Sequence, residues 1–399
     1  MKTSNRVLNL KDSPTLELND AINRKILNGE DIINLTVGEP NYYEPKESST
    51  AAIKAIQKHF THYTASAGIE PLRKAISEKL IKENNLKFSP EQIVVSNGGK
   101  QALYNTFSTL INQGDEVLIP TPAWPTYFEQ VKLCGGTPTP IKLNEDSAFK
   151  LTPEILQNSI SSKTKILVLN SPSNPTGATY SKEDLLTIEP IIEENHLIVI
   201  SDEIYERLVF SEDKFISPLS ISPYMQSHSI LVNGYSKAFG MTGWRIGYSA
   251  APIAISKKIN AFQSQTTANI SSISQIAAQY ALNHFDTNHV NNLKNNRDKL
   301  VNTIRTKTEL DLRQTPTGAF YLFPNVSKLL GRTLFGKKIS NAGDFCQLLL
   351  DKVGVATTPG DIFLAPENIR ISYAKDAKTM DKVNERLINF FERSVLNGN

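Results

Sequence analysis

The 399-residue sequence predicts an α/β protein with a mostly parallel sheet, because short apolar segments alternate with helical stretches along most of the chain. Buried parallel strands are typically near-continuous runs of Val, Ile and Leu. Six segments fit this pattern: QIVVS at 92–96, EVLIP at 116–120, KILVLN at 165–170, LIVISDE at 197–203, SILVNG at 229–234 and RIGYSA at 245–250. Several end in polar, glycine or proline residues. We therefore expect a functional site at the carboxyl ends of the strands, where open α/β sheets bind ligands.

A change in composition after about residue 285 predicts a second, smaller domain. A long polar helix candidate at 288–307 is followed by the strand candidates GAFYLFPNV, GVATTP and NIRISYA. We expect three parts: residues 1–45 as an N-terminal arm and part of the small domain, 46–285 as the large domain and 286–399 as the small C-terminal domain. Within the last part, SKLLGRTLFGKKISNAG at 327–343 is expected to be a mobile surface loop.

The composition argues against several classes of function. The 43 basic and 40 acidic residues are spread along the chain without a long basic run, so nucleic acid is not an expected partner. The only cysteines, Cys134 and Cys346, are far apart, and neither a disulfide framework nor a metal site is expected. The N-terminus lacks a signal-peptide pattern, and no apolar stretch approaches the roughly 20 residues of a membrane span. The sequence predicts a cytoplasmic protein with no membrane partner.

One lysine stands between an apolar strand candidate and a glycine-rich turn, in VNGYSKAFGMTGWRIGY at 232–248. Lys237 is either an ordinary solvated lysine or a Schiff-base lysine that binds an aldehyde cofactor in a pocket. Arg245 follows eight residues later. It offers the fixed charge and forked donors that a phosphate needs, although a surface salt bridge is the alternative.

Other candidate residues also follow strand candidates. SNGGKQALYNTF at 96–107 places two glycines before a helix, which exposes backbone N–H groups as a phosphate cradle. Asp202, in LIVISDEIYE, either caps the next turn or pairs with a buried cation such as a protonated pyridine nitrogen. Asn174, in NSPSNPTG, is either a turn residue or a hydrogen-bond donor to a ring oxygen. Trp124, in TPAWPTY, is either a core or rim aromatic residue or a stacking platform.

The order and spacing of these motifs match one family. The markers are LTVGEP (35–40), HYTASAGIEPLR (62–73), GGKQAL (98–103), TPAWPTY (121–127), NSPSNPTG (170–177), SDEIYE (201–206), SKAFGMTGWRIGY (236–248) and IRISYA (369–374). From about residue 5 onward, the sequence resembles the class I/II aminotransferases of fold type I, which use pyridoxal 5'-phosphate. Within them it is similar to the bacterial-type aspartate aminotransferases. The resemblance implies a large domain with a mostly parallel central sheet and a smaller α+β domain.

The resemblance also implies roles around the cofactor ring. Lys237 would form the Schiff base and, once displaced by substrate, move the proton between the substrate α-carbon and C4′ of the cofactor. Asp202 would keep the pyridine nitrogen protonated, so that the ring takes up the electrons left by the α-proton. Tyr205 and Asn174 would hydrogen-bond the 3-oxygen of the ring, and Trp124 would stack on the ring face.

For the phosphate, the resemblance implies a set of residues drawn from several motifs and from a second subunit. They are the backbone of Gly98, Gly99 and Lys100, together with Ser236, Arg245 and Tyr63 of the other subunit. The contribution of Tyr63 makes the active site a property of a homodimer. Gly234 stands where the wider family often has a phosphate-binding serine. Phosphate binding is therefore expected to depend more on Ser236 and the helix N-terminus.

Substrate binding is predicted from the same resemblance. Arg370 would hold the α-carboxylate with a bidentate guanidinium, and Gly38 would approach the same group with its backbone. Lys100, assisted by Thr15, would hold the distal carboxylate of an acidic substrate. Trp124 and Asn174 are expected to touch substrate as well as cofactor. NYYEP at 41–45 departs from the usual family pattern near the substrate entrance, which leaves the substrate range open.

These inferences predict an aminotransferase that moves the amino group of an acidic amino acid, with L-aspartate as the best guess, to 2-oxoglutarate. The alternatives are a prephenate or aromatic amino acid aminotransferase, a β-lyase on the same scaffold, and a non-catalytic binding module of a transcription regulator. The last needs a DNA-binding domain of about 70 residues before the first motif, and the motifs start too early for one. The run around Asn174 also predicts a cis Asn174-Pro175 bond, and Thr121-Pro122 is expected to be cis as well.

Overall fold

The computed structural model of this protein describes residues 2–8, 10–211 and 214–396. Within them the α-helices are α1 (Asn5–Leu8), α2 (Pro14–Leu27), α3 (Lys46–Gln57), α4 (Glu70–Asn84), α5 (Gly99–Leu110), α6 (Thr126–Leu133), α7 (Pro153–Ser159), α8 (Lys182–Glu194), α9 (Pro223–His228), α10 (Ile253–Thr266), α11 (Ser272–Ala281), α12 (Asn288–Lys307), α13 (Ala342–Val353) and α14 (Ala377–Leu396). The strands are β1 (Ile33–Asn34), β2 (Ile93–Ser96), β3 (Glu116–Thr121), β4 (Thr137–Lys142), β5 (Thr164–Asn170), β6 (Ile198–Asp202), β7 (Ser229–Gly234), β8 (Gly247–Ala250), β9 (Tyr321–Leu322), β10 (Thr333–Leu334), β11 (Lys337–Lys338), β12 (Val355–Ala356), β13 (Thr358–Pro359) and β14 (Ile369–Ser372).

The largest sheet has seven strands in the order β2-β8-β7-β6-β5-β3-β4. Strands β7, β6, β5, β3 and β4 pair in parallel, whereas β8 is antiparallel to both of its neighbours. The predicted mostly parallel sheet is therefore confirmed, and each of the six strand candidates overlaps a strand of it. Sequence reasoning missed β4, whose residues TPTPIK include two prolines and form no apolar run. An edge strand tolerates proline because one of its sides forms no ladder hydrogen bonds.

Helices pack on both faces of this sheet, because successive side chains of a strand point to opposite faces. Val117 and Ile119 of β3 pack in one buried cluster with Phe107 of α5. Leu118, between them, packs in a different buried cluster with Leu185 of α8. The near-continuous apolar runs in the sequence reflect this burial on both faces.

A second buried cluster surrounds a three-stranded antiparallel sheet of order β13-β14-β9, with α12, α13 and α14 packed around it. Strand β1 pairs in parallel with β12, so Ile33 lies opposite Val355 and the N-terminal segment joins the C-terminal part of the chain. The architecture is α/β, with this smaller α+β region beside the large sheet. The predicted boundaries after residues 45 and 285 stay predictions.

The segment 327–343 is not the surface loop that we expected. It contains the antiparallel pair β10–β11, in which Thr333 lies opposite Lys338. Leu334 and Ile339 are buried in the cluster around the smaller sheet. Their burial explains why the segment is structured despite its glycines and lysines.

The peptide bonds Thr121-Pro122 and Asn174-Pro175 are both cis, as predicted from the motifs. Ser171-Pro172 is a third cis bond, which the sequence reasoning did not anticipate. In the part of the chain that the structure describes, no helix has the length and apolar character needed to cross a membrane.

Candidate active site

Most of the predicted site residues meet in one cavity of about 330 Å³ at the carboxyl ends of the parallel strands. The predicted residues that line it are Thr15, Gly38, Gly99, Lys100, Trp124, Asn174, Asp202, Tyr205, Ser236, Lys237, Arg245 and Arg370. A larger cavity, of about 510 Å³, lies near Phe149 and Arg313, but its lining includes none of the predicted residues. The chemistry described below is therefore assigned to the smaller cavity.

Lys237 is not a solvated surface lysine. It follows β7, and its Nζ points into the cavity, where it donates a hydrogen bond of 2.5 Å to the main-chain carbonyl of Gly38. Burial lowers the pKa of this amine to about 8, with Glu39 and Asp202 acting in the opposite direction. A larger share of the amine is thus neutral near neutral pH than for an ordinary lysine. Only the neutral form is a nucleophile and a base.

Asp202 ends β6, and its side chain is only 5% exposed. Its Oδ2 accepts a hydrogen bond of 2.7 Å from the hydroxyl of Tyr127, and its Oδ1 accepts one of 3.2 Å from the N–H of Ile204. Burial raises the pKa of Asp202, while both hydrogen bonds and Lys237 act against that rise. The turn-capping role and the carboxylate role that the sequence left open are thus compatible. A buried carboxylate that faces a cavity is suited to a cationic partner.

A cradle for an anion lies where α5 begins. Gly98 precedes the helix with a φ of +82°, and a Cβ there would come within 2.5 Å of Nη2 of Arg245. A Cβ on Gly247 of β8 would lie 2.3 Å from the backbone nitrogen of Gly99. Both glycines are required because main chain and guanidinium approach so closely here. The free N–H groups of the helix N-terminus, the hydroxyl of Ser236 and Arg245 together form a donor set that suits a phosphate.

Arg370, on β14, is only 3% exposed and yet has no acidic partner within ion-pair distance among the described residues. Its Nη1 donates to Oδ1 of Asn174 at 2.9 Å, and its Nη2 donates to the carbonyl of Thr36 at 2.6 Å. Its Nε is buried without a hydrogen-bond partner. The guanidinium carbon lies 4.6 Å from the centre of the Tyr321 ring. A buried charge without a counter-charge requires one, and a ligand carboxylate would supply it.

Lys100 and Trp124 form another wall of the cavity. The Nζ of Lys100 lies 5.0 Å from the centre of the Trp124 ring. Burial and the nearby Arg245 both lower the pKa of Lys100. Thr15, in the first turn of α2, lies on the same cavity wall as Leu16 and Asn19.

Two tyrosines that sequence reasoning missed complete the site. Tyr127 is the donor to Asp202, and the Tyr321 hydroxyl lies 2.8 Å from that of Tyr205. Tyr127 lies in the same motif as Trp124, three residues later. Tyr321 lies in GAFYLFPNV, which the sequence indicated only as a strand. Its place in the same motif as Trp124 was the only sequence signal for Tyr127, and no such signal marked Tyr321.

Two predicted residues do not line the cavity. Gly98 lies directly beside it, against Arg245. Tyr63 is 94% exposed and lies outside it. The resemblance assigns Tyr63 to the site of the other subunit, so its role stays a prediction.

Comparisons with known proteins identify the family of this chain. The family model described as aminotransferase class I and II matches residues 30–387. A probable aspartate/prephenate aminotransferase of Rickettsia conorii is 41% identical over 388 residues, which cover 95% of this chain and 96% of the relative. The crystal structure of the aspartate aminotransferase of Rhizobium meliloti has a TM-score of 0.94 and 36% identity, covering 98% of this chain and 99% of that one. The Thermus thermophilus aspartate aminotransferase with maleate has a TM-score of 0.90 and 34% identity, covering 98% and 100%.

The fold is that of the fold type I transferases, as the similarity to these solved structures shows. The chain belongs to the class I and II aminotransferase family. It is an aminotransferase, and its curated relatives match it over nearly the full length of both chains.

Proposed function

We propose that this protein is a pyridoxal 5'-phosphate-dependent aminotransferase that moves the amino group of an acidic amino acid, with L-aspartate as the best candidate, to 2-oxoglutarate. The observation that carries the proposal is the placement of Lys237, Asp202 and Arg370 in one cavity: a lysine of lowered pKa, a buried carboxylate and a buried unpaired guanidinium. These are the groups that an amino acid and a cationic pyridine ring require. The names of the relatives favour aspartate.

The residues of the cavity fit this cofactor. Asp202 would hold the protonated ring nitrogen, Tyr205 and Asn174 the ring oxygen, and Trp124 the ring face. The phosphate would lie in the cradle of Gly98, Gly99, Lys100, Ser236 and Arg245, with Tyr63 of a second subunit. When bound, the cofactor supplies a carbonyl that exchanges the amino group and a ring that takes up electrons.

The protein side chains then have separate tasks. Arg370 binds the α-carboxylate, since it is a buried cation without an acidic partner among the described residues and Asn174 and Thr36 hold its two terminal nitrogens in place. Lys237 would take the proton from the substrate α-carbon with its neutral Nζ and deliver it to C4′ of the cofactor. Asp202 accepts a hydrogen bond from Tyr127, which favours its ionised form. Its negative charge would stabilise the protonated nitrogen of the cofactor ring.

Lys100 is proposed to hold the distal carboxylate, assisted by Thr15, because both line the cavity and the amine of Lys100 lies near the Trp124 ring. Maleate in the related Thermus thermophilus structure is itself a dicarboxylate, which supports an acidic substrate. Prephenate is the second candidate substrate, because the Rickettsia conorii relative is a probable aspartate/prephenate aminotransferase.

The active unit is proposed to be a homodimer with shared sites. Tyr63, at 94% exposed, is free to enter the cavity of a second copy. Mixing Lys237→Ala and Tyr63→Phe chains tests this, because only a hybrid dimer contains one site with both native residues. Activity in the mixture above the sum of the two parents is expected. A mixture no more active than its parents would exclude the shared site.

The proposed function is tested by trapping the cofactor and screening substrates. Borohydride reduction of the purified protein should attach the cofactor to Lys237, as read by peptide mass spectrometry. Lys237→Ala should lose this attachment and nearly all transamination, whereas Lys258→Ala, at an exposed position of α10, should keep both. A screen of amino donors and 2-oxo acid acceptors should show the highest transamination rate with aspartate and 2-oxoglutarate. Attachment to another lysine would overturn the site, and elimination without amino transfer would identify a β-lyase.

The cytoplasmic location stays a prediction, and cell fractionation would test it.

A further inference from the structure

Residues 38–43, here called the N-terminal strap, lie on the loop that carries Lys237. At one end the carbonyl of Gly38 accepts a hydrogen bond from Nζ of Lys237. Further along, the strap presses on Gly240, where an added Cβ would lie 2.3 Å from the carbonyl oxygen of Tyr42. The strap thus touches the lysine loop through both main chain and side chain.

Tyr42 makes a direct bond to the lysine's own backbone. Its hydroxyl donates to the main-chain carbonyl of Lys237 at 2.6 Å. Burial raises the pKa of Tyr42 above that of a free phenol, so the hydroxyl stays protonated and remains a donor. The two residues are 195 positions apart in sequence, so only the folded chain brings them together.

The ring of Tyr42 is held from its other side. His289, near the start of α12, stacks on it with ring centres 3.9 Å apart and planes inclined by 5°. The stack lies between two surface cavities that both include Tyr42 and His289. Packing of the ring against His289 therefore fixes the direction in which the Tyr42 hydroxyl points.

We propose that Tyr42 is a positioning residue for Lys237: it fixes the main chain from which the lysine amine reaches the reacting carbon. The inference rests on the proposed function, in which Lys237 moves the proton. A lysine side chain has many rotamers, and a proton transfer depends on distance and alignment. An anchored backbone carbonyl narrows the positions available to Nζ without contacting the substrate. The departure from the usual family pattern at 41–45 thus has a structural counterpart in this bond.

The expected signature separates positioning from simple stabilisation. Tyr42→Phe removes one oxygen and keeps the ring stack, so folding should be preserved. The turnover number should fall about fivefold, the value of one ordinary hydrogen bond, while KM for aspartate stays within about twofold. KM should change little because Arg370, which binds the α-carboxylate, is held by hydrogen bonds to Asn174 and Thr36 and not by one to Tyr42. The kinetic isotope effect with α-deuterated aspartate should rise, since the proton transfer becomes slower than the other steps.

A second measurement does not depend on turnover. Cofactor-free protein is mixed with pyridoxal 5'-phosphate, and attachment to Lys237 is followed by absorbance. Tyr42→Phe should attach it more slowly than wild type, because the amine is less well directed. Tyr43→Phe is the matched control, since Tyr43 is the next residue and its side chain is 86% exposed. It should match wild type in both measurements.

The outcomes are distinguishable. If wild type fails to attach the cofactor at Lys237, the proposed function itself fails. If wild type attaches it and Tyr42→Phe equals wild type in turnover number, isotope effect and attachment rate, the positioning role is overturned. A lower Tm together with a smaller fraction of active protein, with an unchanged isotope effect, would show a loss of stability only and would also overturn the positioning role. Should Tyr42→Phe fold poorly, His289→Ala removes the stack instead and must show the same pattern with a smaller fall, or the inference is rejected.

Discussion

The hydroxyl of Tyr127 donates a hydrogen bond of 2.7 Å to Oδ2 of Asp202, and both side chains are buried. Burial alone raises the pKa of Asp202, which favours the neutral acid, and the hydrogen bond is the first of the interactions that oppose this effect. An acid that is to hold a pyridinium cation must be ionised. Tyr127 thus contributes to the negative charge that Asp202 presents to the cavity.

Replacement of Tyr127 by phenylalanine should weaken cofactor binding. A hydrogen bond to a charged group is worth about 1.5 to 3 kcal/mol, so the dissociation constant of pyridoxal 5'-phosphate should rise about tenfold or more. Fluorescence titration of cofactor-free protein would measure it. Tyr280→Phe, at an exposed position of α11, serves as the control and should bind as wild type does. An unchanged affinity in Tyr127→Phe would show that Asp202 stays ionised without this donor.

The pH dependence of cofactor attachment should follow the amine of Lys237. Its pKa of about 8 lies below the ordinary 10.5 of a lysine, so the neutral form accumulates as pH rises and is dominant above about pH 8. The attachment rate of cofactor-free protein should therefore increase with pH and level off above that value. Stopped-flow absorbance between pH 6 and about 10 would measure the profile.

Replacing Glu39 tests whether the pH profile of cofactor attachment follows the pKa of Lys237. This carboxylate is the first of the charges that raise the pKa of Lys237 against the effect of burial. Glu39→Gln should therefore move the midpoint of the profile to lower pH. A midpoint that stays near that of an ordinary lysine in wild type would contradict the assignment of Lys237 as a buried amine.

Lys100→Ser should selectively harm dicarboxylic substrates. The loss of a charge-assisted hydrogen bond lowers kcat/KM for aspartate by about ten- to a hundredfold or more. Phenylalanine should be nearly unaffected, because Arg370 still binds the α-carboxylate that both amino acids share. Kinetics of both substrates on both proteins measure the ratio. An equal loss for the two would mean that Lys100 serves the cofactor, and the assignment to the distal carboxylate would be withdrawn.

Gly98→Ala should damage phosphate binding beyond the effect of backbone strain. Its φ of +82° disfavours any side chain, and the new Cβ would also lie 2.5 Å from Nη2 of Arg245. Gly114 provides a matched control, with a φ of +87° and nothing within 4 Å of an added Cβ. Both variants should lose stability by about 1 kcal/mol through strain, but only Gly98→Ala should also lose cofactor affinity. Thermal unfolding and cofactor titration separate the two effects, and equal affinities would exclude crowding of Arg245.

The sequence predicted the central strands well because burial on both faces requires continuous apolar runs, which are visible in one dimension. The edge strand β4 escaped notice because it has no such run. The lysine, the strand-end acid and the glycine cradle were recognisable because each follows a strand at its carboxyl end, where topology alone brings ligand-binding residues together. Their identification as one site also depended on the family resemblance.

The supporting contacts were not predictable in the same way. Tyr205 and Tyr321 meet through their hydroxyls across 116 residues, and Tyr42 meets Lys237 across 195. From sequence alone, a tyrosine in an apolar segment is interpreted as a core residue, and neither periodicity nor spacing predicts where its hydroxyl points. The prediction of a surface loop at 327–343 was wrong for the opposite reason. The glycines and lysines of this segment indicated a loop, whereas its apolar side chains are buried in the folded structure.

The pairing of β1 with β12 has a consequence for the order of assembly during synthesis. Leu35 bonds to the main chain of Ala356 and Ser372, and the carbonyl of Thr36 accepts from Arg370. All seven strands of the large sheet have been translated once the ribosome has passed residue 250. That sheet can therefore form while the rest of the chain is still being synthesised. The segment around residue 35 emerges long before Ala356, Arg370 and Ser372, and it must wait for them. A nascent chain in which the seven-stranded sheet has already formed therefore still lacks a closed catalytic cavity.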